Sequence, residues 1–508
     1  MCEPNTATCN GNVAHTCNAD GSGFTDITCD PTQGETCDET TPGGCTGMCA
    51  PASLGQSYIG CEYFPTVTGN PVNNDFAFAV VISNTSTVPA MITIEGGALA
   101  STQTATVPPN STSIQKLPWV NELKLCMDPS SDPDEIQCTT PGNFPLGAMA
   151  PAGAYHLRST APVTVYQFNS YDYAINNGGE FSFTNDASLM LPTNVWRSTY
   201  LAASWQQTGS VNPSELAVTA AYPNTNVTLT TKADTTAAGG APAFATGVPQ
   251  MVTLNTGDVL EITTVTGDLT GTQISANSPV QVISGHYCAD IPDGVAACDH
   301  LEESMFGIDT LGSHYIVSSP AVDTEPTGKV EVVRIVAAAP NITLTYDPPQ
   351  SGAPTTLANV GDFVEIDNNA SEFAVTASGK ILVAQYMEGQ DADGAGTGDP
   401  AMALAVPVEQ FRTNYLFQAP LSYDSNYVDI VAPMGATVSL DGAAAQTFTA
   451  IGTSGFGLSR VLTLGPGPNA DGSHSITGDM PFGITVYGYG QYTSYWYPGG
   501  LNLTSVFE

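Results

Sequence analysis

From residue 54 onward, hydrophobic and polar residues alternate in short runs that are interrupted by Gly, Asn and Pro. Residues 216–222 and 227–230, for example, are two such runs separated by Pro223 and Asn224. Alternation with a period of two places one face of a strand against a core, and the interrupting residues favour turns. Helical periodicity is hard to find, so the pattern predicts an all-β fold.

A short sequence pattern that centres on a tyrosine recurs within this region. Three copies place Tyr200, Tyr315 and Tyr415 near the start of a strand, and a looser fourth copy is assigned to Tyr58. An apolar closing strand also recurs, at residues 163–166, 280–283, 381–384 and 484–487. Recurrence at this spacing indicates a serial architecture, in which function usually lies in presented surface.

The repeats predict a division of the chain into five parts. A small disulfide-rich module, residues 1–53, precedes four tandem β-sandwich-like repeats of about 100–130 residues, at 54–186, 187–300, 301–400 and 401–508. A β-propeller with two blades per repeat is the alternative, because a blade takes about 40–50 residues. The recurring aromatic residues are expected to lie in the core.

The chain has 12 cysteines, and eight of them fall within the first 61 residues. They are Cys2, Cys9, Cys17, Cys29, Cys37, Cys45, Cys49, Cys61, Cys126, Cys138, Cys288 and Cys298. The first eight predict a disulfide knot of unknown connectivity, since the residues between them are too polar to form a core. A zinc site at Cys45 and Cys49 is a weaker alternative, because no second ligand pair follows. Cys126 with Cys138 and Cys288 with Cys298 are the favoured local pairs.

Cysteine usage also predicts the cellular location. An even number of cysteines in such segments indicates an oxidising compartment, so the protein is expected to be extracellular or on the outer cell surface. No apolar run approaches the length of a transmembrane helix. No signal peptide precedes Cys2, which suggests that a leader has been removed. Cys2 is itself a candidate for a lipid anchor, although its loss would leave an odd number of cysteines.

The charge balance excludes some partners. Lys and Arg total 10 against 48 Asp and Glu, which gives a net charge of −38. Nucleic acid and anionic membranes should be repelled by such a chain. Solubility accounts for most of the charge, but Asp391, Asp393 and Asp399 alternate with glycines as in a Ca²⁺-binding loop. A solvated linker is the alternative for that loop, because the helices and terminal Glu of an EF-hand are missing.

Residues 285–303 carry the densest chemistry, with two histidines, two cysteines and several carboxylates. His286, His300 and Glu303 are the candidate metal ligands of this stretch. A loop that is held by a disulfide and bonded to backbone is the favoured alternative. None of the common hydrolase or phosphate-binding motifs occurs in the sequence.

The last 20 residues are rich in aromatic side chains. Tyr489, Tyr492, Tyr495, Trp496 and Tyr497 are candidate binding residues that could stack on sugar rings or contact a partner. The alternative that these side chains belong to the core of the last repeat is equally consistent with their spacing.

The stretch at 285–303 resembles the signature of the IgGFc-binding protein N-terminal domain family. The matching motif is Gly-His-x-Cys at 285–288 and Cys-Asp-His-Leu-x-Glu at 298–303, followed by Leu311, Gly312 and Tyr315. Residues 162–168 and 185–192 also look like this family, and the resemblance covers roughly 54–500. The cysteine-rich start lies outside the resemblance and is similar to those of secreted myxobacterial proteins.

The resemblance implies an extracellular, disulfide-containing β protein that is associated with adhesion, mucus or cell-surface matrix. It supplies no catalytic residues. The sequence therefore predicts a secreted or cell-surface, non-catalytic adhesion protein that binds a protein or glycan and needs no cofactor, with Ca²⁺ as the candidate ion. One alternative is the subunit of an extracellular fibre or sheath that forms by homotypic polymerisation. A metal-dependent hydrolase at residues 286–303 is a weaker alternative.

Overall fold

A computed structural model describes residues 2–125, 146–206, 212–322, 329–392, 394, 396–443 and 446–506. Nearly all of its regular structure is β, and the all-β prediction is confirmed. The helices of this described part are one short α-helix, α1 (Asn121–Lys124), and four 3₁₀ turns at Pro31–Gln33, Thr193–Val195, Ile308–Thr310 and Val408–Gln410.

Among the described residues, the N-terminal module contains five short strands and three disulfides, and a fourth disulfide joins the module to the strand that follows it. The strands are β1 (Ala7–Asn10), β2 (Val13–Cys17), β3 (Phe24–Thr28), β4 (Thr36–Cys37) and β5 (Cys45–Thr46). The disulfides join Cys2 to Cys17, Cys9 to Cys37, Cys29 to Cys45 and Cys49 to Cys61. Its small core consists of alanines and half-cystines, which explains the need for covalent links.

Cys2 does not have a free thiol in this structure. Its sulfur is bonded to Cys17, so the candidate lipid anchor at Cys2 is wrong for this fold. Cys288 is bonded to Cys298. Cys126 and Cys138 lie outside the described residues.

The remaining strands form four groups of sheets, which we call units 1 to 4. Unit 1 contains β6 (Gly60–Tyr63), β7 (Phe78–Asn84), β8 (Ala90–Gly96), β9 (Gln103–Val107), β10 (Ser111–Leu117), β12 (Tyr155–Asn169) and β15 (Asp186–Met190). The same part of the chain contributes β11 (Gly147–Ala150), which pairs with unit 2, and a separate hairpin of β13 (Ala174–Ile175) and β14 (Glu180–Phe181). Unit 2 contains β16 (Arg197–Leu201), β17 (Ser214–Ala220), β18 (Thr225–Thr230), β19 (Gln250–Leu254), β20 (Val259–Thr264), β21 (Gln273–Ala289) and β22 (Asp299–Ser304).

Units 3 and 4 repeat this order of strands. Unit 3 contains β23 (His314–Val317), β24 (Glu331–Ala337), β25 (Ile342–Asp347), β26 (Thr356–Leu357), β27 (Phe363–Asn369), β28 (Phe373–Ala377), β29 (Ile381–Met387) and β30 (Met402–Leu404). Unit 4 contains β31 (Arg412–Gln418), β32 (Ser425–Pro433), β33 (Val438–Leu440), β34 (Thr449–Ala450), β35 (Phe456–Val461), β36 (Ser473–Gly490) and β37 (Thr493–Pro498).

Each unit has an inner and an outer antiparallel sheet. The inner sheets have the orders β10-β7-β12-β15, β20-β17-β21-β22, β27-β24-β29-β30 and β35-β32-β36-β37. A long strand belongs to both sheets in units 1, 2 and 4, namely β12, β21 and β36. In unit 3 the same path is divided into β28 and β29. Two sheets per unit are consistent with the predicted sandwich-like arrangement.

Burial differs between the two kinds of sheet. In the outer strand β18, buried and partly exposed residues alternate, as the period of two predicts. Every residue of the inner strands β7, β17 and β24 is buried. Inner strands are covered on both faces because the inner sheets also pack against neighbouring units, which explains their nearly continuous apolar sequences.

The last strands of the four units meet at the centre of the molecule. β15 contacts β22 and β37, and β30 contacts the same two strands, so the four form a closed ring. This arrangement has one inner sheet per unit around the centre, rather than the two blades per repeat of the propeller alternative. The predicted domain division stays a prediction; its boundary after Asp186 falls within β15 and its boundary after His300 falls within β22.

The recurring tyrosine has the same role in every unit. The Tyr200 hydroxyl accepts a hydrogen bond from the Arg197 N–H at 2.7 Å and donates one to the Val280 carbonyl of the long strand at 2.8 Å. Equivalent pairs of bonds are made by Tyr63, Tyr315 and Tyr415. The assignment of the first copy to Tyr58 is therefore wrong by five residues, and Tyr63 is the true equivalent.

Candidate functional site

One carboxylate lies at the centre of the ring of last strands. Asp186, on β15, has no solvent exposure. Its two oxygens accept hydrogen bonds from one backbone N–H in each unit, those of Ala187, Glu302, Met402 and Trp496, at 2.9, 3.1, 3.0 and 3.1 Å. A single side chain thus joins the last strands of all four units.

The electrostatics of Asp186 contain two opposing effects. Burial raises the pKa of this carboxyl well above its ordinary value, whereas the four N–H donors stabilise the ionised form. An ionised carboxylate has about four acceptor positions, and here each of them faces a donor. A proton on Asp186 would displace one of these bonds, so the geometry fits the charged form.

We call the contact of β15, β22, β30 and β37 around Asp186 the junction. Two further carboxylates, on β22, extend it. Asp299 accepts hydrogen bonds from the backbone N–H groups of Asn185, His300 and Ser494, at 2.7, 2.8 and 3.1 Å, and so links units 1, 2 and 4. Glu303 accepts from the Ser304 N–H at 2.9 Å and the Leu189 N–H at 3.2 Å. Burial raises the pKa of both carboxyls well above the ordinary value.

Three glutamates and one histidine form a second buried group between units 1 and 2, which we call the interunit carboxyl cluster. It comprises Glu215, Glu261, His300 and Glu302, each at most 1% exposed. Glu215 lies opposite Gly285, and Gly285 lies opposite Glu302 across the sheet. A Cβ at Gly285 would overlap the Leu301 carbonyl oxygen, so only glycine fits between the two acids.

Unit 1 supplies the hydrogen-bond donors to this cluster. The Gly69 N–H bonds Glu261 Oε1 at 2.9 Å, and the Thr68 hydroxyl bonds Glu302 Oε2 at 2.9 Å. Gln167 Nε2 also donates to Glu302 Oε2, at 3.0 Å. These bonds tie unit 1 to unit 2 through side chains that no solvent reaches.

Glu215 is the exception within the cluster. Among the residues that the structure describes, no group donates a hydrogen bond to either of its oxygens, and His300 Nδ1 lies 3.8 Å from Oε1. Burial, followed by the neighbouring Glu261 and Glu302, raises the pKa of Glu215 well above its ordinary value. Glu215 is therefore suited to hold a proton rather than to act on a ligand.

The candidate metal ligands from residues 285–303 do not converge. His286 lies opposite Leu301 and thus on the face of the sheet away from His300. Its Nδ1 accepts from the Cys288 N–H at 3.1 Å, and burial lowers its pKa to about 3. Glu303 bonds backbone of unit 1. Within the described part of the chain, no group of three His, Cys, Asp or Glu side chains is placed to hold a metal ion.

The candidate Ca²⁺ loop is likewise divided. Asp391 is exposed, whereas Asp399 has no exposure and accepts from the backbone N–H groups of Ala297 and Gln390 at 3.0 and 3.1 Å. Burial raises the pKa of Asp399 to about 7. Asp393 lies outside the described residues. Asp399 therefore holds two loops together at the edge of the junction.

Four of the five candidate binding aromatics are core residues. Tyr489, Tyr495, Trp496 and Tyr497 have no solvent exposure, and Tyr492 is 38% exposed. The Tyr495 hydroxyl bonds Asn426 Oδ1 at 2.7 Å, and the Tyr497 ring packs on Tyr166 of unit 1 at 4.8 Å. The core alternative describes these four side chains, since Tyr495 and Tyr497 pack against unit 1. Tyr489 and Trp496 share a buried cluster with Met387 of unit 3.

Acidic residues within apolar strands are a sequence signal for the buried polar contacts of the molecule. Asp186, Glu215 and Glu261 each lie within a strand whose other residues are mostly apolar or small. Acids are rarely buried unless they are paired or hydrogen-bonded, so an acid at such a position marks a buried polar contact. The identity of the partner, however, depends on contacts between units.

Comparison with known proteins gives consistent results. A family model described as IgGFc binding protein matches residues 186–488, which is more than half of the chain. A human protein named IgGFc-binding protein is 30% identical over 138 residues, a stretch that is 27% of this chain and 2% of the human protein. The matched region begins at Asp186, the residue at the centre of the junction, and includes the last strands of units 1 to 3.

Proposed function

The chain belongs to the IgGFc binding protein family, and from this premise we propose that it is a secreted or cell-surface adhesion protein that binds a protein or glycan without catalysing a reaction. The family suggests a secreted binding protein.

The proposal is supported mainly by the burial of the ionisable side chains that could act in catalysis. His286, His300 and Glu303 are fully buried, and Asp186 and Asp299 are bonded to backbone N–H groups of other units. A catalytic group must reach a substrate, either directly or through a water molecule. Buried groups that already hold the units together fit a rigid scaffold that presents loops and grooves for binding.

The disulfides support an extracellular location. Five are present among the described residues, and such bonds persist in oxidising compartments. No described helix is both long and apolar enough to cross a membrane.

The name of the human relative suggests IgG Fc as one ligand to test. That protein is named for binding the Fc part of IgG, and the matched stretch is a small part of it. We therefore include IgG Fc among several test ligands rather than treat it as the partner.

The test measures binding of the purified, oxidised protein to a glycan array, to mucin and to IgG Fc by biolayer interferometry. Saturable binding to one ligand class is expected, with no change in the ligand's mass after incubation. The thermally unfolded protein is the control for adsorption. Absence of saturable binding to every class, or cleavage of a ligand, would contradict the proposal.

Assembly into a fibre or sheath is the second candidate, and one contact bears on it. The segment after β37 hydrogen-bonds to the start of unit 1, through Tyr58 N–H to the Leu501 carbonyl and Leu503 N–H to the Gln56 carbonyl, at 3.1 and 2.9 Å. This contact closes the ring of units within one chain. Electron microscopy of concentrated protein separates the two candidates, since filaments would favour the fibre subunit over the monomeric adhesin.

A further inference from the structure

A groove of about 770 Å³ separates units 2 and 3. Its unit 2 wall includes Lys232, Asp234 and Asp268, and its unit 3 wall includes Asp362 and the first two residues of β27. None of these residues belongs to the junction or to the interunit carboxyl cluster.

The strand at this groove has an unpaired edge. β27 is the outermost strand of the inner sheet of unit 3 and pairs only with β24 among the described residues. Its second side therefore presents backbone N–H and C=O groups without a partner strand. Such an edge is a template for the addition of an extended chain.

The same position is occupied by an extra strand in two other units. In unit 2, β20 pairs on its second side with β11, a four-residue strand that comes from between β10 and β12. In unit 4, β35 pairs in the same way with β34. The fold thus accepts an extended segment at this place, and in unit 3 no strand of the described part of the chain occupies it.

Charge selects what kind of segment fits. Lys232 lies 3.7 Å from Asp362, and the buried Arg334 is bonded to Asp268 and Glu365, each at 2.8 Å. The cations at the groove are therefore already paired with acids. Asp367, on β27, is exposed. A second copy of this chain, with its net charge of −38, would be repelled, whereas a positively charged segment would be attracted.

We propose that the groove between units 2 and 3 binds an extended, Lys- or Arg-rich segment of a partner protein, which adds as a strand to β27. This inference rests on the proposed binding function and names a site and a partner chemistry for it. Backbone pairing with β27 would supply affinity. Asp234 of the groove wall and Asp367 of β27 would supply preference for basic segments.

The test uses a fluorescent peptide in which Thr and Lys alternate. Its length of about ten residues is that of a long strand. Anisotropy should show saturable binding to the full-length protein, and a Thr/Glu peptide of equal length should not bind. Thr356→Arg places a bulky cation at the exposed Thr356 in the groove wall and should raise the Kd at least about tenfold. The matched control is Thr376→Arg, at an exposed position of β28 outside the groove, which should leave the Kd within about twofold.

A second pair of variants tests the charge argument. Asp367→Lys should weaken binding about twofold to fivefold, and Asp75→Lys, at an exposed site of unit 1, should not. Equal binding by the wild type and Thr356→Arg would overturn the groove as the site. Failure of the basic peptide to bind at all, or equal binding of the acidic peptide, would overturn the partner chemistry. Each of these outcomes leaves the array test of the proposed function unaffected.

Discussion

Asp186 and Glu215 are both carboxyl residues with almost no solvent exposure, but their surroundings differ in the number of donors that face them. Asp186 accepts four backbone N–H bonds, and Glu215 accepts none from the described residues. The cost of burying a charge depends on such donors. The two residues should therefore respond in opposite ways to replacement by the matching amide.

Asp186→Asn should destabilise the protein strongly. The amide nitrogen would face two N–H donors in place of an acceptor, which leaves buried N–H groups of two units without partners. We expect the free energy of unfolding to fall by about 3–5 kcal/mol, measured by urea denaturation. Asp75→Asn, at an exposed site, is the control and should change it by less than about 0.5 kcal/mol. A small effect of Asp186→Asn would show that the junction does not depend on this charge.

Glu215→Gln should not destabilise the protein at pH 8. The raised pKa of Glu215 means that the folded protein either holds a proton on it or buries an unpaired charge there. Gln removes that charge, so the free energy of unfolding should be equal or higher at pH 8. It should be nearly unchanged at pH 4, where the unfolded Glu is itself largely protonated. Glu302→Gln is the contrast, because its Oε2 accepts from Thr68 and Gln167 and the loss should appear at both pH values. A large loss in Glu215→Gln at pH 8 would argue for a charged Glu215.

The element that recurs in every unit is the strand with the tyrosine, and Tyr63 and Tyr58 offer a test of its role. The Tyr63 hydroxyl bonds the Gly60 N–H and the Val163 carbonyl, whereas the equally buried Tyr58 hydroxyl has no hydrogen-bond partner in the described structure. Tyr63→Phe should lower the free energy of unfolding by about 1–3 kcal/mol. Tyr58→Phe removes an equal group and should have no unfavourable effect. Equal losses in thermal denaturation would mean that the two bonds of Tyr63 contribute nothing specific.

The same two tyrosines show that the sequence motif alone does not identify the structurally equivalent residue. Leu54, Gly55 and Tyr58 match the recurring motif, but Ile59, Gly60 and Tyr63 match it equally well five residues later. Only the bond to the long strand distinguishes them, and that bond joins residues 100 positions apart. Strand number, alternation and the order of strands follow from local patterns, so they were predictable.

The junction could not be predicted in the same way. Its central bond joins Asp186 to Trp496, which are separated by 310 residues, and the pattern around either residue contains nothing about the other. The aromatic residues near the C-terminus illustrate the consequence. Their period-2 spacing predicted two faces of one strand, of which one could be displayed, but the approach of unit 1 covers the second face as well.

At the scale of the whole molecule, the few cations are all engaged. Each of the ten Lys and Arg side chains contacts an acidic side chain, an amide oxygen or a backbone carbonyl: Lys116, Lys124, Lys232, Lys329, Lys380, Arg158, Arg197, Arg334, Arg412 and Arg460. Several of these contacts join different units, such as Arg197 to Asp309 and Arg334 to Asp268. The remaining surface is therefore dominated by carboxylates that repel one another.

The stability of the protein should fall as pH rises from about 4 to about 8. Burial raises the pKa of Asp399 and Asp429 to about 7 and that of Glu331 to about 8, so the folded state binds protons in this window that the unfolded state has lost. Each such group lowers the free energy of unfolding by on the order of 4 kcal/mol over the window. His286 acts oppositely, because its pKa of about 3 makes the unfolded state bind the extra proton below about pH 6.5. The acids outnumber this one histidine, so their effect should dominate. Urea denaturation at several pH values should show the lowest free energy of unfolding above pH 8. A maximum of stability there would contradict the assignment of protonated buried acids.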